Sequence, residues 1–282
     1  MSTALRSIQP LLKRSQHRAL AAAALLLCTP VFAASSGSFS TGPISFQLID
    51  LRPDDGIAPS VSFQKVSGQE GGVAAQAAQL SPLQLELRAQ YRSWADSRID
   101  SATDLAKAKA RVQGGGSQDG LGGAMLSGNG AARDFAGPTD AAAGFLAQAV
   151  LGSNGESIRL TLSPWTALVA TFDTRVKLAS TRAGDAADST VELRLGLDGQ
   201  EAHHDELHFE CSGPCQLAEG RALYVTVQNE SDLVVGGEWW AMATVQGTAV
   251  AMAGSASARQ VAQTRARRRL HSLLGATGLA PR

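Results

Sequence analysis

Leu83, Leu85, Leu87, Ala89 and Tyr91 alternate with Gln84, Glu86, Arg88, Gln90 and Arg92. Only an extended chain sends two such sets to opposite faces, one into a core and one into water. The same period of two recurs in Ile44, Phe46 and Leu48, in Val61 and Phe63, and in Ile158, Leu160 and Leu162. It returns in Leu168, Ala170 and Phe172, in Val191, Leu193, Leu195 and Leu197, and in Leu223, Val225 and Val227. Strands with one wet and one dry face are what antiparallel sheets contain. Turn residues separate the runs: Arg52-Pro53-Asp54-Asp55-Gly56 between the first two, Ser153-Asn154-Gly155 before Ile158, then Ser163-Pro164 and Asp198-Gly199. Many short alternating strands without amphipathic helices between them predict an all-β fold. The expected architecture is an antiparallel β-sandwich, jelly-roll or immunoglobulin-like.

Residues 93–137 read less simply. Ala106, Ala108, Ala110 and Val112 alternate with Lys107, Lys109 and Arg111, a strand period written in helix-forming residues. Strand is the preferred reading, with helix or disorder open. The glycines at 114–116, 120, 122, 123, 128 and 130 predict a flexible Gly-rich loop or a thinly packed edge.

The two ends of the chain change the picture. Arg6, Lys13, Arg14 and Arg18 precede an Ala/Leu run, Ala19 to Leu27, then Pro30 and Val31-Phe32-Ala33. A basic start, a short apolar stretch and small residues at the end are the parts of a secretory signal. Cleavage is expected after Ala33, or after Ala34. The run is shorter than the ~20 residues that span a bilayer, so no transmembrane span is expected in the mature chain. Residues 1–33 are thus assigned to the signal, 34–255 to the sandwich and 256–282 to a basic tail. All 25 acids lie between the signal's four basic residues and the six arginines after Glu238, so the body carries a net charge of about −10. Such a body repels nucleic acid. The expected address is the periplasm or the extracellular space.

Two cysteines remain after cleavage, Cys211 and Cys215, in Cys-Ser-Gly-Pro-Cys. An even pair in an exported chain reads as a disulfide. His204, Glu206 and His208 share one face of a strand, and imidazole with carboxylate is a donor set for Zn²⁺ or Cu²⁺. They are weak metal candidates, because alternate strand positions lie about 6.6 Å apart. Asp50, Asp54 and Asp55 crowd the first turn, where turn formation competes with calcium binding. Trp239 and Trp240 are adjacent, so one points to a core and the other outward, where an indole can stack on a sugar ring. No G-x-S-x-G elbow or catalytic pair is singled out, and no cofactor is expected.

The stretches Phe46 to Phe63, FQLIDLRPDDGIAPSVSF, and Leu160 to Asp173, LTLSPWTALVATFD, carry a resemblance. The chain resembles uncharacterised exported β-rich proteins of Gram-negative bacteria, through Leu48, Asp50, Leu51, Pro53, Asp55, Gly56, Ile57, Pro59 and Ser60. Leu160, Thr161, Leu162, Ser163, Pro164 and Thr166 carry the second likeness. Many such proteins end in a PEP-CTERM sorting tail. This chain has no Pro-Glu-Pro after its body, and its arginines precede the apolar residues. The resemblance implies an exported β-sandwich and no particular activity. The functional expectation is a non-enzymatic protein that binds or structures cell-surface or extracellular polysaccharide. The alternative is a secreted carbohydrate-active hydrolase or lyase on the same scaffold.

Overall fold

The alternation resolves into two stacked antiparallel sheets. A computed structural model describes residues 33–64, 71–80, 83–92, 96–114, 122–133, 135, 141–152 and 158–250. Residues 1–32 of the signal, the basic tail and the Ser153-Asn154-Gly155 turn lie outside these residues. The first eight strands are β1 (Ala33–Thr41), β2 (Ser45–Asp50), β3 (Val61–Gln64), β4 (Gly71–Leu80), β5 (Gln84–Arg92), β6 (Ser97–Ala102), β7 (Ala106–Gln113) and β8 (Met125–Arg133). Then come β9 (Ala142–Leu151), β10 (Ile158–Leu162), β11 (Thr166–Ser180), β12 (Ala186–Leu197), β13 (His203–Ser212), β14 (Cys215–Glu219), β15 (Ala222–Asn229) and β16 (Val235–Val250). No helix occurs among the described residues.

One sheet runs β14-β11-β1-β8-β7-β6, with β2 and β15 flanking the first half of β11. The other runs β13-β12-β16-β9-β4-β5, with β10 beside the start of β16 and β3 beside β10. The inward-facing residues of both sheets form one continuous core, from Phe39 and Leu126 on one side to Phe145, Val191 and Val245 on the other.

Two corrections to the sequence reading follow from position in the sheet. Leu83, Leu85 and Leu87 point outward and are 69%, 48% and 44% exposed. The strand β5 is an edge strand, and its polar face is turned toward the other sheet. Gln84 Nε2 donates to Asp104 Oδ2 at 2.9 Å, and Glu86 Oε2 accepts the amide of Ala102 at 2.7 Å. A rim can satisfy these groups with hydrogen bonds, so the oily set is the one left outside. The amide of Ala102 holds the Glu86 carboxyl below its ordinary value, and Arg88 adds to the effect.

The second correction concerns the glycines. Gly128 and Gly130 are not in a loop; they lie on β8, between β1 and β7. A Cβ at Gly130 would stand 2.0 Å from Phe145 Cδ2, and one at Gly128 2.4 Å from Phe39 Cε1. In a core this rich in alanine, the missing side chains make the slots that the two phenyl rings fill. The Ala/Lys stretch 106–112 is a strand, with the alanines buried and Lys107, Lys109 and Arg111 exposed. Tertiary packing of the alanines against the opposite sheet overrides their helix propensity.

Cys211 and Cys215 are bonded, with S–S 2.04 Å and Cα–Cα 5.6 Å. The bond closes the corner where the chain leaves β13 in one sheet for β14 in the other, and Gly213 takes φ 71° there. The same pair of edges is clasped further along. Arg221 donates from both Nη atoms to Asp205, at 2.8 and 2.6 Å, and the amide of Tyr224 adds a bond of 3.1 Å.

Candidate functional site

The stretches Phe46 to Phe63 and Leu160 to Asp173 meet at one end of the sandwich. The first crosses from sheet to sheet: β2 lies beside β11, and after the turn at 51–60 β3 lies beside β10. The second supplies β10, the turn at Ser163-Pro164-Trp165 and the start of β11. Backbone and hydroxyl bonds join them. Leu51 N donates to Trp165 O at 2.7 Å, Ser163 N to Ser60 O at 3.0 Å, and Ser60 N to Ser163 Oγ at 2.7 Å. Beneath this junction Phe46, Phe63 and Trp239 pack ring against ring, with centroids 4.8 to 6.4 Å apart.

Asn229 ties in the third loop. Its Nδ2 donates to the carbonyls of Ser163 at 2.9 Å and Leu233 at 2.8 Å, and its Oδ1 accepts from Ser231 N and Oγ. Asn229 is 1% exposed, so its amide acts as a fully used buried bracket for the loop Glu230–Val234.

Trp165 sits where these loops converge. It is the single non-glycine residue with positive φ among the described residues, at 48°. A bulky residue in the left-handed region is strained, and such residues persist where their surroundings over-determine them. Here the indole Nε1 donates to Asp232 Oδ1 at 2.7 Å, and the Arg52 guanidinium lies 3.4 Å from the ring centroid. Arg52 also reaches Asp232 at 3.4 Å. Leu51 and Leu233, next in sequence to Arg52 and Asp232, are exposed, as are Ile57 and Val234 in the same two loops, with Leu233 and Val234 at 73% and 63%. The guanidinium covers one face of the half-buried indole, so this end presents outward a charged Arg52–Asp232 pair held on an aromatic base and bordered by apolar side chains, a surface that can receive a polar ligand.

The sequence-selected residues fall elsewhere. Trp239 is fully buried in the aromatic layer, while Trp240 is half-buried on the outward face of β16, opposite Arg194. The two indoles thus point to opposite faces of the sheet. His204, Glu206 and His208 do share the outward face of β13, but they stay spread along it. His208 Nδ1 shares a 2.9 Å hydrogen bond with Thr190 Oγ1. Among the described residues no three His, Cys, Asp or Glu side chains come together as a metal-binding group. In the first turn, Asp50 Oδ1 accepts from Arg52 N at 2.8 Å and Asp55 Oδ1 from Ile57 N at 2.7 Å. Both carboxylates are serving the turn, as Asp does when it bonds the backbone two residues on.

One carboxyl has weakened acidity. Burial raises Glu192 above its ordinary value, and Glu206, directly opposite on β13, adds to the rise. Sequence reasoning missed Trp165, Arg52 and Asp232. The available signal was a tryptophan directly after Ser163-Pro164, at a turn position where a small residue is the usual choice.

No protein-family description matches this chain, and no curated protein does. Among the described residues no helix is long and apolar enough to cross a membrane. Among solved structures, a study of carbohydrate-binding modules from the β-sandwich superfamily aligns with 71% of this chain and 100% of its own, at 8% identity and a TM-score of 0.10. A likeness that low carries no argument, so the site is read from its own geometry.

Proposed function

We propose that this is an exported, non-enzymatic β-sandwich that binds cell-surface or extracellular polysaccharide at the loop end around Trp165. The observation that carries the reading is the indole held by Asp232 and Arg52 at a positive φ. The indole holds the Arg52 guanidinium stacked on its face and the Asp232 carboxylate at its edge, so both lose little entropy on meeting sugar hydroxyl groups, to which both can hydrogen-bond. Export is supported by the basic-then-apolar N-terminus, by the start of β1 at Ala33 and by the disulfide. Two measurements test the proposal. Sequencing the N-terminus of the protein recovered from the periplasm or medium should give Ala34 or Ser35. Pull-down on insoluble polysaccharides should retain the mature chain and the Trp240→Ala variant but release Trp165→Ala. Equal retention of all three would place binding elsewhere.

The second reading, a hydrolase or lyase, rests on Glu192 and Glu206. These are two facing carboxyls, one of them with weakened acidity, which is the pairing acid–base catalysis uses. Release of reducing ends that disappears in Glu192→Gln would favour it.

A further inference from the structure

The strands β4 and β9 are buried on both faces. Val73, Ala75 and Ala77 on β4 face the sandwich core, as do Phe145, Ala147 and Ala149 on β9. The alternate residues point away from the other sheet, yet Gln76 and Ala78 are 0% exposed, Ala142 is 1% and Gln148 is 5%. On the neighbouring β16, the outward Thr248 and Val250 are 5% and 8% exposed. Ala78, Ala142 and Val250 form a second apolar cluster with Leu80 and Leu146, separate from the core. Leu85 and Leu87 extend it, lying directly across from Ala78 and Gln76. No described strand lies over this face.

Beside the apolar strip the same face turns acidic. Asp188 stands opposite Glu210, and Glu192 opposite Glu206, in the β12–β13 ladder. Like charges directly opposite on one face are destabilising unless a cation stands between them. Arg194 shares the face and brings one positive charge to it.

From these observations we infer that residues 251–282 fold back over the outer face of the β12-β16-β9-β4-β5 sheet, their apolar residues on the alanine strip and their arginines on the β12–β13 carboxylates. The segment leaves from this face. Val250 is the last residue of β16 and belongs to the second cluster, and its amide donates to Asp185 Oδ1 at 3.1 Å. Residues 1–32, by contrast, join at Ala33 on the other sheet, and every internal stretch outside the described residues is seven residues or fewer.

Its composition complements the face. It holds Val261, Leu270, Leu273 and Leu274 together with six arginines and no acid. Its length is sufficient. The six strands from β13 to β5, about 4.8 Å apart, are about 24 Å across, and 32 residues reach about 48 Å even when wound as a helix. The claim is independent of what the loop end binds, since Trp165 lies in a turn between β10 and β11.

Site-specific photo-crosslinking in the whole mature chain tests this. Leu146→p-benzoylphenylalanine places the probe on the strip at a half-buried position, and Lys177→p-benzoylphenylalanine places it on the exposed face of β11 as a control. The expected result is an intramolecular crosslink from position 146 into residues 251–282 and none from position 177. Reversing Arg267, Arg268 and Arg269 to Glu should reduce that crosslink at least ten-fold. If position 146 does not tolerate the probe, Leu85→p-benzoylphenylalanine, at a 48% exposed site, reads the same contact. A crosslink from either position to a second copy of the chain, to another segment or to nothing overturns the inference.

Discussion

Gly130→Ala adds one methyl group and should be among the most damaging single changes in the protein. The new Cβ would stand 2.0, 2.5 and 2.6 Å from Cδ2, Cγ and Cε2 of Phe145. Ordinary carbon contacts begin near ~3.5 Å, so the ring would have to retreat by about 1.5 Å. It has nowhere to go. Phe145 is 0% exposed, and the position of a Cβ at Gly247, its partner on β16, is already 2.6 Å from the far edge of the ring. The strain must be shared by β8 and β9, which belong to opposite sheets.

Overpacking a well-filled core costs roughly 1–3 kcal/mol, and a site with no slack belongs at about 3 kcal/mol. For a domain of this size that is a fall in Tm of about 6–12 °C. Urea unfolding followed by far-ultraviolet circular dichroism measures it. Phe145→Leu should cost stability alone yet relieve Gly130→Ala, so that the double variant is more stable than the sum of the two effects. A Gly130→Ala protein within about 0.5 kcal/mol of the parent would refute the close approach of the two sheets at this point.

The remaining predictions concern the rims of the sandwich. Replacing Cys211 and Cys215 together by Ser reopens a five-residue loop, which in the chain-entropy view costs about 2 kcal/mol; chemical denaturation under non-reducing conditions reads it. The Arg221 hydrogen bonds hold the Asp205 carboxyl below its ordinary value, helped by the Tyr224 amide. The stability they confer is therefore present above the unfolded Asp range and is lost as pH falls through the lower folded value. Arg221→Ala should flatten that acid limb in pH-dependent urea melts and cost about 0.2–1 kcal/mol at neutral pH, because the pair is partly exposed. Glu192 has the opposite sign. Its carboxyl is raised by burial and by Glu206, so the folded protein binds an extra proton between the unfolded and folded values, and stability falls as pH rises through that window. Glu192→Gln should remove this fall and leave the variant more stable than the parent at neutral pH in the same melts.

The class of fold was legible wherever one face of a strand is wet. Ile158 to Leu162, Val191 to Leu195 and Leu223 to Val227 alternate in sequence and in burial alike. Strands covered on both faces give no such signal, so β4 and β9, rich in alanine and glutamine, left no period to read. The first strand, AASSGSFST, is too small and polar to register, although Ala34 and Phe39 are core residues. On β5 the alternation was visible but its sense was not, because the direction a side chain takes at a rim depends on what the other sheet presents there.

The candidate site was half legible. Its two stretches could be picked out, but only the pairing of β2 with β11 and of β3 with β10 brings them together. Arg52, Trp165 and Asp232 are separated by 113 and 67 positions, and no local pattern links them.

Calorimetric titration of the mature chain with soluble polysaccharide fragments, beside Trp165→Ala of unchanged circular dichroism, bears most directly on the loop-end platform. The expected result is saturable binding by the parent and affinity at least ten-fold weaker in the variant, a loss of about 1.4 kcal/mol. Heats that coincide for the two proteins, or a parent that takes up none of the fragments, would contradict it.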